Sequence, residues 1–127
     1  MSSKSLWADL SQVEIVRTPR TVLLEQAQYL TKAMKGTLVG GVSNLRDVVA
    51  STFHYELYIQ VPALNNYLLT ILRIDHDIEL YPVRLTASRP TTDVYCANES
   101  EFEKAVESVL SSREVKAMLS RLRSQIT

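Results

Sequence analysis

An aspartate, a histidine and a second aspartate stand in a row at Asp75-His76-Asp77, and a second histidine, His54, lies upstream. Carboxylates and imidazoles ligate divalent metals and move protons near neutral pH. Strict strand alternation places His54 opposite Ile74 and diagonal to His76, so the two imidazoles could share a sheet face. Against a site, consecutive loop residues point apart, and aspartate is an ordinary hairpin residue because its carboxylate bonds its own backbone. The third and fourth ligands of a zinc site are also missing. The row therefore reads as a structural loop, in which His76→Ala changes stability by no more than about 0.5 kcal/mol. No catalytic residue, metal ligand or cofactor is assigned. A small enzyme or metal-dependent hydrolase using His54, Asp75, His76 and Asp77 is the competing reading.

Three further features could carry chemistry. Cys96 precedes a helix expected from Glu99, and a helix N-terminus lowers a thiol's pKa. No local signature accompanies it, and a lone cysteine reads as a small buried hydrophobe. Arg17, Arg20, Arg46, Arg84 and Arg89, with six tyrosines, could form a basic-aromatic surface for single-stranded nucleic acid. Fourteen basic and fourteen acidic residues cancel, however, and Tyr55, Tyr67 and Tyr81 fall on the expected core face. Gly40-Gly41 lacks the spaced glycines and lysine of a phosphate cradle, and follows a helix instead of preceding one. A bulge, or close approach of another backbone, accounts for the pair.

The 127 residues suffice for one domain spanning 1–127, and 46% apolar with 22% charged residues is an ordinary globular composition. One cysteine excludes an internal disulfide and fits a reducing compartment. The amino terminus has no apolar stretch of the signal-peptide kind, and no run approaches the roughly 20 apolar residues of a membrane span. A cytoplasmic protein without a membrane partner is expected.

The elements follow from periodicity. Residues 5–15 suggest a short helix with Leu6, Leu10 and Val13 on one side and Trp7 as its anchor on the domain. A longer helix starts at Thr18-Pro19, runs along Leu23, Ala27, Leu30 and Met34, and stops at Gly36. A strand over 37–42 and a loop over 44–51 lead to a three-stranded antiparallel meander over 52–86. Pro82 within its third strand demands an edge or a bulge. A short strand over 93–96 precedes two helices with capping signals at Asn98 and near Ser111-Ser112. The fold class is α+β: a four- to five-stranded, mainly antiparallel sheet with one helix before it and a helical pair after it.

The meander's faces carry the functional expectation. Strict alternation gives one face Tyr55, Leu57, Ile59, Val61, Leu69 and Ile71, closed by an Arg73–Glu79 pair. The other face receives Leu68, Leu72, Ile74, Ile78 and Leu80, with Tyr58 among them and His54, Glu56 and Gln60 as a polar rim. An apolar second face of several hundred Å² marks an interaction surface. The expected protein is thus a non-enzymatic interaction module acting through a protein partner or its own two-fold homodimer. On this reading Leu72→Glu gives folded monomers.

Overall fold

In the computed structural model, which describes residues 3–45 and 51–127, helix α1 (Pro19–Ala33) begins where the sequence places it. The Thr18 hydroxyl accepts the Thr21 N–H at 3.2 Å, and Pro19 occupies a first-turn position that needs no donor. Beyond the helix, Gly36 adopts φ 80°, and its N–H donates to the Thr31 carbonyl at 3.0 Å. Five strands follow: β1 (Val39–Leu45), β2 (Phe53–Val61), β3 (Tyr67–His76), β4 (Val83–Ser88) and β5 (Thr91–Cys96). They form one antiparallel sheet, as expected of the four- to five-stranded meander class, and all five strands follow chain order. Helices α2 (Glu99–Leu110) and α3 (Arg113–Gln125) complete the α+β fold. Asn98 caps α2 by accepting the Glu101 N–H at 2.9 Å, and Ser112 caps α3 by accepting that of Val115 at 3.2 Å.

All three helices bury their apolar stripes on one sheet face. Val22, Leu23 and Ala27 from α1, Phe102, Val106 and Val109 from α2, and Val115, Met118 and Leu122 from α3 join Leu57, Ile59, Ile74 and Leu85 in one core. Where α1 crosses β1 the backbones nearly touch. A Cβ on Gly40 would lie 2.5 Å from the Ala27 carbonyl oxygen, so only glycine allows this approach. Thr31 closes the crossing, donating to the Ala27 carbonyl at 3.0 Å and accepting the Gly40 N–H at 2.9 Å. Gly41, on the opposite face, gives room to the Tyr58 ring.

The register of β2 against β3 departs from strict alternation. Tyr58 pairs with Thr70 and Leu57 with Leu72, leaving Ile71 as the extra residue of a β-bulge. Ile71 and Leu72 are consequently buried one after the other. Every later residue of β3 changes face: Leu72 (1% exposed), Ile74 (0%) and His76 turn into the core, while Arg73 and Asp75 turn away from it. The six residues set out above as one apolar face are therefore divided. Leu68 (61% exposed) and Tyr58 occupy the uncovered face, Leu72 and Ile74 lie beneath the helices, and Ile78 and Leu80 belong to a loop.

That loop, residues 77–82, replaces the front of the expected third strand. Asp77 makes it locally, its carboxylate accepting the Glu79 N–H at 2.8 Å and its carbonyl that of Leu80 at 3.0 Å. Leu80 sits at φ 73°, and β4 starts only after Pro82, so the proline interrupts no ladder. Arg73 faces Thr86 and Ile74 faces Leu85, in place of the expected Glu79 and Ile78. The strands over 37–42 and 93–96 become Val39–Leu45 and Thr91–Cys96, and most of the expected 44–51 loop lies outside the described residues.

Leu72→Glu would place a carboxylate beneath the helices with no partner, so loss of the cooperative thermal transition is expected in place of a folded monomer. Leu68→Glu, on the open face, should hold stability within about 0.5 kcal/mol of wild type. Paired circular dichroism melts distinguish this arrangement from a strictly alternating strand.

Candidate functional site

Of the four residues in the competing enzymatic reading, the register unites two. His54 faces Asp75 across β2 and β3, and its Nδ1 bonds the Asp75 carboxylate. Arg73 approaches the same carboxylate at 3.5 Å, and Arg84 lies across from it on β4. His76 points through the sheet to the other side. It is buried against Phe53 and Tyr55, with ring centroids 5.5 and 5.9 Å away, and its Nδ1 lies 2.8 Å from the Asp77 carbonyl. Asp77 spends its carboxylate on the loop backbone. The two imidazoles thus lie on opposite faces, contrary to strict alternation. Among the described residues, no three His, Cys, Asp or Glu side chains gather as a metal site.

Cys96 is buried at the end of β5. Burial pushes its thiol above the ordinary 9.0, with the Glu101 charge adding to the effect. Tyr81, edge-on to Phe102 with centroids 6.4 Å apart, has its phenol raised above 10.0, mainly by burial and then by the Glu99 charge.

The arginines are largely engaged. Arg84 donates to both oxygens of Asp93, at 3.0 and 2.9 Å, and lies 5.8 Å from the Tyr95 ring centroid. That pairing raises the pKa of Arg84 and lowers that of Asp93. Arg20 stands 5.9 Å from the Tyr55 ring centroid. Arg17 gathers Glu25 of α1 with Glu99 and Glu103 of α2, which raise its pKa further, Glu25 contributing most. Arg46 lies outside the described residues.

The largest departure lies upstream of that cluster. Residues 3–17 are exposed throughout and form an arm whose only regular piece is a 3-10 turn, Leu10–Gln12. Asp9 makes the turn, its carboxylate accepting the Ser11 N–H at 3.0 Å and hydroxyl at 2.6 Å. The helix expected over 5–15 is absent, and Trp7, expected as an anchor, is 77% exposed. Leu6, Leu10, Val13, Ile15 and Val16 are exposed with it. The sequence signal was present: Trp7, Ile15 and Val16 fall off the Leu6-Leu10-Val13 stripe, so a helix here would have had no polar side.

Among the grooves formed by the described residues, two have largely apolar walls. One runs between α1 and the helical pair, lined by Tyr29, Leu30, Leu110 and Leu119, with a volume of about 270 Å³. The other, about 430 Å³, lies between α3 and the β2–β3 and β4–β5 turns. Among the described residues, Leu64, Tyr67, Leu69, Met118 and Leu122 line it, with Arg89, Arg121 and Gln125 as its polar members.

Fold and surface together define an α+β domain with one helix-covered sheet face, one polar sheet face, and an apolar arm held away from both. Comparison with protein-family models, with curated proteins and with solved structures finds no match for this chain.

Two outcomes follow from the buried groups. His76→Ala removes a core ring and should cost roughly 2 kcal/mol or more in chemical denaturation, against the near-neutral change of a surface loop. Cys96 and Tyr81 hold their protons more tightly folded than unfolded. Their contribution to stability is complete below about pH 9 for the thiol and 10 for the phenol, then is lost as pH rises through the higher folded values. Cys96→Ala should delay the alkaline fall in denaturation midpoint, and native Cys96 should alkylate slowly until denaturant is added.

Proposed function

We propose that this chain is a non-enzymatic interaction module that engages a protein partner, a second copy of itself included, through its amino-terminal arm. The observation carrying this reading is the exposed series Leu6, Trp7, Leu10, Val13, Ile15 and Val16 on a segment anchored by Arg17. Contiguous exposed apolar side chains mark interaction sites in soluble proteins, and tryptophan is enriched among residues that dominate binding energy. The surface offers little to other partners. Pairing of Arg17 with glutamates and of Arg84 with Asp93 leaves those cations poorly placed to neutralise nucleic-acid phosphates. No helix among the described residues is long and apolar enough to cross a membrane. A cytoplasmic setting fits the lone free thiol.

The competing enzymatic reading keeps the His54–Asp75 contact, in which a carboxylate orients an imidazole as in many proton-transfer sites. Its other two members are occupied elsewhere, His76 in the core and Asp77 in the loop.

The test compares the native chain with Trp7→Ser by size exclusion from cell extract. Wild type should elute in a species heavier than the 14.4 kDa monomer, and Trp7→Ser at the monomer position with an unchanged melt. Coincident monomeric elution of both would contradict the reading.

A further inference from the structure

We infer that the groove between α1 and the helical pair is a binding site for a small aliphatic amine, with the alkyl chain in its apolar chamber and the ammonium at the mouth beside Tyr29 and Glu107. This goes beyond the reading of the arm and uses no residue of it. The chamber holds about 270 Å³. Its floor is the sheet itself: Leu57, Ile59 and the bulge residue Ile71, none more than 7% exposed. Aliphatic side chains of all three helices form its walls, and among the described residues no charged side chain lines it. An apolar cavity of about 150 Å³ takes up benzene, so this one has room for a longer hydrocarbon.

Polarity enters only at the mouth. Gln26, Tyr29 and Leu110 line both the chamber and the outer groove that runs toward Arg17. Glu107 lines that outer groove one turn before Leu110 on α2, and it forms no ion pair among the described residues. Arg17 lies at the far end, where Glu25, Glu99 and Glu103 already hold it. Glu103 is a further turn from Leu110, so within the outer groove Glu107 carries the charge nearest the mouth. A carboxylate and an aromatic face are the two groups that recognise an ammonium. Glu107 and Tyr29, which is 67% exposed, supply one of each from the two helices that border the groove.

Charge selects this groove and this head group. The two other grooves beside α3 carry Arg89 and Arg121, or Lys116 and Arg123, and these cations repel an ammonium. An organic anion with the same tail would meet Glu107 instead. The size of the chamber selects the source of the amine. A lysine side chain brings only a four-carbon stem, which leaves much of the chamber unfilled. A free amine with a longer chain fills it, and each methylene removed from water adds to affinity.

The test titrates purified full-length protein by calorimetry with n-alkylamines from butyl to decyl, each below its micelle concentration. Affinity should rise roughly fourfold per added methylene until the chamber is filled, then level off. Octanoate should bind at least about tenfold more weakly than octylamine. Glu107→Gln should weaken octylamine binding roughly threefold and Glu107→Lys about tenfold, both with unchanged melts because Glu107 is exposed. In methyl spectra Ile59 and Ile71 should shift with octylamine while Ile78, in the 77–82 loop, stays fixed. Octanoate binding as tightly as octylamine, or indifference to both Glu107 variants, would overturn the ammonium site. Affinity greatest at butylamine would overturn the free amine in favour of a partner protein's lysine. An absence of saturable binding, a rise that never levels, or shifts that avoid Ile59 and Ile71 would overturn the chamber. None of these results bears on the Trp7 elution experiment, so the two readings fail separately.

Discussion

One inserted residue governs which side of this sheet is inside. Ile71 opposes no partner of its own on β2, and with it the pleat of β3 changes phase. Were the alternation unbroken, Arg73 and Asp75 would face the helices, while Leu72, Ile74 and His76 would face water. A charge in a dry core without a partner costs several kcal/mol, and each exposed large aliphatic forfeits roughly 2 kcal/mol of transfer free energy. The bulge removes both penalties together. It also lets Ile71 and Leu72 enter the core side by side, and it delivers Asp75 to His54 on the uncovered face.

The helical layer depends on a second local constraint, the approach of α1 to β1 over Gly40. Thr31 sits at that crossing with its hydroxyl shared between helix and strand. This fixes the position of α1 along the sheet, and with it the widths of the grooves beside the helices. The Arg17 cluster then ties the start of α1 to the start of α2. Being exposed, that cluster contributes more to placing the arm's root than to stability.

Much of the architecture was legible because its signals are local. Thr18-Pro19, Gly36, Asn98 with Glu101, and Ser112 act within one helical turn of themselves, and each helix end lies close to where they put it. The hydrophobic runs of the meander gave its class and strand order. Its register was not legible, since one extra residue reverses every later side chain and leaves only the doublet Ile71-Leu72, followed by alternating Arg73 and Asp75, as a trace. The candidate site inherited that error. Whether His54 meets His76 or Asp75 is a question of register, invisible to residue types. The arm failed for another reason: Leu6, Leu10 and Val13 have helical spacing, but a helix of about ten residues persists only if something packs against it. Trp7 and Ile15 lie off that stripe and leave such a helix no polar side, and Asp9 and Ser11 close a turn instead.

The chain-ordered sheet has a further consequence, for the route by which the molecule assembles. Every strand pairs with its immediate neighbour along the chain, and α1 packs on β1 and β2, which follow it directly. No strand must wait for a distant segment, so each closure spans a short loop and loses little chain entropy. Neighbour-to-neighbour strand pairing of this kind lowers the chain entropy lost before the sheet is complete. As the polypeptide leaves the ribosome, α1 and the first hairpin can already associate before β4 is made. The part of the apolar inner face that α1 does not cover stays exposed until α2 and α3 arrive.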